Sequence, residues 1–218
     1  MTKGEMFKLL MKGSSQLGMS LNEAQALSFY QYLIELRDWG RKMNLLSRSA
    51  DREIVIKDFL DSLTAQEQLF KGASLLDLGS GAGFPGVPLK IVRADLKVVL
   101  LELMQKKVYF LKNLVRVLDL GGIEIYRAGQ KEDEKNLWGK FDFVISRAFG
   151  SLDKFAVVAL PFLKQGGILL AMKGKKGEDE LEKTLPAFLR MGLNVIFLHR
   201  FRLPLLGHQR ILIGLQRG

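Results

Sequence analysis

The sequence predicts an α/β fold: a doubly wound, seven-stranded sheet with its last strand antiparallel, joined to a small helical N-terminal region. Three observations predict it. Short apolar runs recur from Ser74 onward, alternating with segments of helical periodicity. A glycine-rich turn follows the first of these runs, where a parallel sheet of this kind places a ligand. The last two runs have no helix between them, so they form an antiparallel hairpin around Pro204 to His208. With 218 residues, 48% of them hydrophobic, the chain can build one such domain and an appendage, and two large domains would not fit.

Taken in order, a helix is expected near residues 6–17. A second runs over 25–39, where Leu27, Tyr30, Leu33, Ile34 and Trp39 fall at helical spacing behind a cap at Ser20 or Asn22 with Glu23 in the first turn. A third covers 52–68. These make residues 1–70 a helical region, ahead of a domain over 71–218. There, strands are expected at 74–78, 97–101, 123–127, 141–146, 167–172, 193–200 and 209–216, and helices near 86–93, 104–119, 153–163 and 178–191.

The turn itself is informative. Leu75 to Gly86 reads as a buried strand, a turn containing Gly79, Gly81 and Gly83, and a helix start at which Pro85 is pre-set for the first turn. Phe84 stands where the dinucleotide fingerprint needs its third glycine, and Asp77 lies two residues before the first. S-adenosylmethionine has no pyrophosphate to seat on a helix N-terminus, and it is cationic, so a G-x-G-x-G turn with a carboxylate beneath it fits that cofactor. Glu102 closes the second apolar run about 20 residues on, where such folds place the acid that binds a ribose diol. Together these define a Rossmann-like class I S-adenosylmethionine-dependent methyltransferase domain, with Asp77, Gly79, Gly81, Gly83 and Glu102 as cofactor-binding candidates.

Composition narrows the chemistry. There are no cysteines, which removes disulfides, thiolate zinc sites and a thiol nucleophile; no metal is expected. No signal peptide or membrane-length apolar stretch is found, so a cytoplasmic protein is expected. The net charge of +10 is uneven: residues 1–70 hold nine Lys/Arg and nine Asp/Glu, whereas 71–218 hold 24 and 14. A polyanion is the natural partner of the second part.

Residues at the carboxyl ends of the fourth and fifth strands should face the target. Enzymes that methylate exocyclic amines of adenine or cytosine usually carry an Asn/Asp-Pro-Pro-aromatic loop after strand four, and this chain has Ser146-Arg147-Ala148. Pyrimidine C5 methylation needs a cysteine. A purine ring nitrogen such as guanine N7 carries a lone pair and no proton, so orientation alone is required. Arg147 and Lys173 can donate to the acceptor edge or phosphates of a nucleotide.

Met43 to Ser47, Phe59 to Ser62, Asp77 to Pro88, Ile145 to Leu152, Met172 to Gly174, and Leu203-Pro204 leading to Gln209-Arg210 carry a family likeness over nearly the whole chain. The sequence resembles the bacterial 16S ribosomal RNA (guanine-N(7)) methyltransferases, the RsmG (GidB) family. The resemblance implies methylation of a guanine in the 530 loop of 16S rRNA, with 16S ribosomal RNA or the small ribosomal subunit as partner; a monomer is expected. It puts cofactor contacts on Gly79, Phe84, Glu102, Gln130, Lys131 and Arg147, and RNA or guanine contacts on Asn44, Arg147, Lys173 and Arg210. Three positions depart from the pattern. Asp58 stands where relatives commonly have His, Leu46 replaces a Thr, and Gln130-Lys131 replaces a small or apolar residue followed by Glu, which leaves backbone contacts there; Asp58 is read as structural. Two competing readings are a methyltransferase on another substrate and a ribosome-assembly or RNA-binding factor that holds S-adenosylmethionine without transfer.

Overall fold

The computed structural model describes residues 1–41 and 50–218, with the backbone but not the side chains of Lys131 and Asp133. Asn44 therefore lies outside the described residues. Helix α1 (Lys3–Gln16) opens on a capping box in which Thr2 and Glu5 satisfy each other's backbone N–H groups. Helix α2 (Glu23–Gly40) does the same with Asn22 and Gln25, which settles Asn22 as its cap. The third predicted helix is not uniform. It is one α turn, α3 (Asp51–Glu53), a π-helical stretch (Ile54–Leu60), a second α turn, α4 (Asp61–Leu63), and then a separate 3₁₀ turn (Gln66–Gln68).

The α/β part follows as β1 (Ser74–Leu78), α5 (Gly86–Val92), β2 (Lys97–Glu102), α6 (Gln105–Val117), β3 (Ile123–Arg127), α7 (Lys131–Lys135), β4 (Phe141–Arg147), α8 (Leu152–Ala159), β5 (Leu163–Gly174), α9 (Gly177–Arg190), β6 (Leu193–Arg202) and β7 (Gln209–Arg217). The sheet order is β3-β2-β1-β4-β5-β7-β6, with β7 antiparallel to both neighbours. Helix α7, one short turn, was not expected. The α8 helix stops before its predicted end because Pro161 can continue only as a 3₁₀ turn. Pro85 stands one position before the helix, as the α5 N-cap, rather than in its first turn.

Alternation along the strands divides the core between two faces. Leu75, Val98, Leu100, Phe143, Ile145 and Leu212 pack against α1, α2, the π-helical stretch, α5 and α6. Leu76, Leu101, Val144, Leu169 and Ile213 face α8 and α9. The helical N-terminal region thus shares one core with the sheet. Its tie to the glycine turn is specific: the fully buried Tyr32 of α2 stacks on Phe84 and donates its hydroxyl to the Ala82 carbonyl at 2.5 Å. Replacing Tyr32 with Phe leaves that carbonyl buried without a donor. The variant should lose about 1–3 kcal/mol of stability, read as a melting midpoint several degrees lower.

Candidate active site

The site is built along the carboxyl edge of the sheet. Asp77, the penultimate residue of β1, is fully buried, and its Oδ2 accepts the Gly86 N–H at 2.8 Å, fixing the start of α5. A Cβ on Gly86 would stand 2.8 Å from that oxygen, so the position must be glycine. Asp77 Oδ1 is buried and has no hydrogen-bond partner among the described residues. Burial pushes this carboxyl up to about 7, with Glu102 adding to the rise, while the Gly86 N–H and the Arg147 charge pull it down.

The turn is held from a second side. Glu102, at the end of β2, accepts the Gly81 N–H on Oε2 and the Met104 N–H on Oε1, both at 2.8 Å. Gly79 and Ser80 donate to the Leu101 carbonyl. Gly79 has φ 76, and the Phe149 ring lies so close that a Cβ would meet it at 3.2 Å. Gly83 has φ 98, with the Tyr32 hydroxyl 2.5 Å from where its Cβ would be. Phe84 is a core residue: its ring lies against Tyr32 and Phe59, and its N–H donates to the Ser80 carbonyl at 2.9 Å.

Opposite the turn stands a group of paired charges. Arg147 ends β4 with its guanidinium 5.0 Å over the Phe84 ring. It donates to the Lys57 carbonyl at 2.7 Å and to Asp58 Oδ1 at 2.6 Å, and Asp61 Oδ2 lies 3.7 Å away. Arg210, at the start of β7, donates through Nε to both oxygens of Asp61, at 3.0 and 3.1 Å. The two arginines therefore share Asp61. Burial raises the carboxyls of Asp58 and Asp61 above the ordinary value against the pull of the arginines. Just after Arg147, Ala148 has φ 62, uncommon without glycine and typical of backbone held for function.

Lys173 lies on the adjacent strand, but its ammonium is turned to the Gly150 carbonyl (2.5 Å) and Glu180 Oε1 (3.0 Å), bracing the loop after β4 against α9. Gln130 is exposed after β3 and N-caps α7. The structure thus brings together Asp77, Gly79, Gly81, Gly83 and Glu102 on one side and Arg147 and Arg210 on the other, with the Lys173 ammonium turned away from the two arginines. Sequence reasoning gave no role to Asp61, although its spacing of three from Asp58 on a helix was the available signal. It also passed over Leu103 and Met104, exposed apolar side chains directly after Glu102 that offer a surface for a flat ring.

Among the described residues no group of His, Asp or Glu is arranged to hold a metal, and no helix is long and apolar enough to cross a membrane. The sheet order and the glycine turn define the methyltransferase class of nucleotide-binding fold. Solved structures agree. A SAM dependent methyltransferase from Aquifex aeolicus superposes with TM-score 0.56 at 19% identity, covering 75% of this chain and 92% of that one. TYW2 of M. jannaschii, solved in complex with AdoMet, gives 0.54 at 17%, covering 72% and 77%. At sequence level the likeness is closer. The Ribosomal RNA small subunit methyltransferase G of Geotalea uraniireducens is 41% identical over 210 residues, 96% of each chain, and that of Geobacter metallireducens is 39% identical over 209 residues, 96% of this chain and 95% of the relative. The GidB family model, rRNA small subunit methyltransferase G, matches residues 25–206, and the chain belongs to that family.

Two outcomes are expected from the buried carboxylates. Because the folded Asp77 pKa lies above the unfolded value of about 3.9, the native protein keeps a proton that the unfolded chain has lost between about pH 4 and 7, and stability falls as pH rises through that window. Melting curves at a series of pH values should show this slope, and Asp77→Asn should flatten it. Breaking the shared pair by Asp61→Ala should cost about 3–5 kcal/mol in denaturant titrations. A double-mutant cycle with Arg210→Ala should return a coupling of about 1 kcal/mol or more.

Proposed function

We propose that this chain moves a methyl group from S-adenosylmethionine to N7 of a guanine in small-subunit ribosomal RNA, at a site in the 530 loop, in the cytoplasm. Membership of the rRNA small subunit methyltransferase G family supports ribosomal RNA of the small subunit as the substrate. The observation that supports the chemistry is the division of the carboxyl edge, with a carboxylate-braced glycine turn on β1 and β2 and cations on β4, β5 and β7. Guanine N7 carries no proton, so the transfer needs no general base.

The site fits the cofactor on its own chemistry. The unpartnered Asp77 Oδ1 is a buried acceptor beneath the turn, suited to a cationic group. Gly79 and Gly81 supply close backbone, Glu102 keeps further lone pairs for a diol, and Leu103 and Met104 offer an apolar face for a base. When bound, S-adenosylmethionine supplies an electrophilic methyl group on a sulfonium sulfur. The rest is positioning, which the chain's own residues do.

Arg147 is proposed to orient the guanine. Its contacts with Lys57 and Asp58 engage two of the five guanidinium N–H donors, and its planar fork matches an acceptor edge. Lys173, Arg210 and Asn44 are proposed as RNA contacts, and Gln130 and Lys131 as backbone contacts to the cofactor.

The direct test is methyl transfer to 16S RNA from cells lacking this protein, with mapping of the modified base. A single N7-methylated guanine in the 530 loop is expected; modification of another base or of a protein would overturn the reading. Arg147→Lys keeps the charge but loses the fork. Turnover should fall by at least about tenfold, the equivalent of one charged hydrogen bond, while RNA affinity stays close to wild type.

A further inference from the structure

Beyond Arg210 the carboxyl edge continues into a groove of about 390 Å³ between the β6–β7 hairpin and the start of α9. Four cations line it, Lys175, Arg200, Arg202 and Arg210, against a single carboxylate, Glu178. Arg200 and Arg202 are two residues apart and so share one face of β6. Arg210 pairs in register with Phe201 and therefore points to the other face, where it meets Asp61. The groove thus straddles the sheet edge with cations from both sides. Arg200 is paired to Glu178 through a side chain that is 63% exposed, a surface contact that a second anion can replace at little cost.

Strand order gives this groove its direction. Arg147 ends β4, Lys173 lies near the end of β5, Arg210 begins β7, and Arg200 and Arg202 end β6, so cations stand on four consecutive strands. With about 4.8 Å between strands, the row runs roughly 14 Å outward from the place where the target base must sit. A small anion would be satisfied by one or two of these side chains. A row that begins at the reacting position and continues along an open edge fits a ligand with regularly repeated negative charge.

We infer that the β6–β7 groove seats the phosphate backbone of the RNA strand flanking the target guanine, with Lys175, Arg200 and Arg202 as the contacts. The inference rests on the ribosomal RNA reading above. An acidic protein surface, the other polyanion the groove could meet, does not explain why the row is continuous with the reacting position.

The experiment compares wild type with a Lys175→Ala/Arg200→Ala/Arg202→Ala variant, measuring affinity for a 16S RNA fragment across a salt series alongside methyl transfer. Each single-strand phosphate contact contributes about 0.7 to the log–log salt slope, so the slope should fall by about 2 in magnitude. The KM for RNA should rise at least about tenfold at physiological salt, with kcat at saturating RNA and affinity for S-adenosylmethionine retained. An Arg200→Lys/Arg202→Lys variant keeps the charges and should keep the slope, and it also controls for folding of the hairpin. If the triple variant methylates RNA with unchanged slope and KM, the groove is not the phosphate seat and the enzymatic reading stands. A drop in cofactor affinity or melting point that accounts for the loss would also overturn it. Failure of the wild-type protein to methylate RNA would instead defeat the reading on which the inference rests.

Discussion

Two carboxylates hold the glycine turn, and the rest of the site depends on that arrangement. Asp77 fixes the start of α5 through the Gly86 N–H, and Glu102 fixes the middle of the turn through the Gly81 N–H. The acids come from adjacent parallel strands, in register at Asp77 and Leu100 with Glu102 two residues further on. Neither could reach the turn from solvent. Their position in the sheet sets the turn's shape before any ligand arrives, so less ordering is left to binding. The helical N-terminal region adds a third support through Tyr32 and the Ala82 carbonyl.

Across the edge from this turn, the arginines are oriented by acids from the helical region rather than from the sheet. Asp58 and Asp61 belong to the segment packed against α1, yet they grip side chains at the ends of β4 and β7. This explains how a region of balanced charge serves a basic one: it contributes carboxylates that aim cations. The cost of burying those carboxylates is met by full pairing, since an unpaired charge at the Asp61 position would be strongly destabilising.

Much of this was legible in the sequence, and the exceptions have a common cause. The β1–turn–α5 unit and the β6–β7 hairpin were readable because glycine, proline and apolar periodicity act within a few residues. The doubly wound class followed from the alternation of strand and helix, whereas the strand order came only with the structure. What could not be read was pairing over long separations: Asp61 meets Arg210 across 149 positions, and Tyr32 meets Ala82 across 50. The family resemblance puts a cofactor contact at Phe84, and what the sequence does not show is that its ring packs in a pocket formed by Tyr32 and Phe59. The helix expected over 52–68 broke up because Ile54 to Leu60 gives one apolar pattern for either an α or a π ladder, and the choice is made by what packs on it.

That π-helical stretch makes residue number, more than residue type, the conserved quantity one would look for in this segment. Each residue of an α-helix turns the chain by about 100°, and the wider i→i+5 ladder absorbs what would otherwise be a rotation of everything downstream. Lys57 and Asp58 lie inside the stretch and Asp61 just after it, and all three supply acceptors to the arginine pair. Deleting a single residue there would let the ladder close into an ordinary α-helix, with no loss of hydrophobic pattern. The turns on either side would keep their directions, and Lys57 and Asp58, inside the stretch, would be the acceptors carried away from Arg147. The segment works as a spacer of fixed count, intolerant of a change in length.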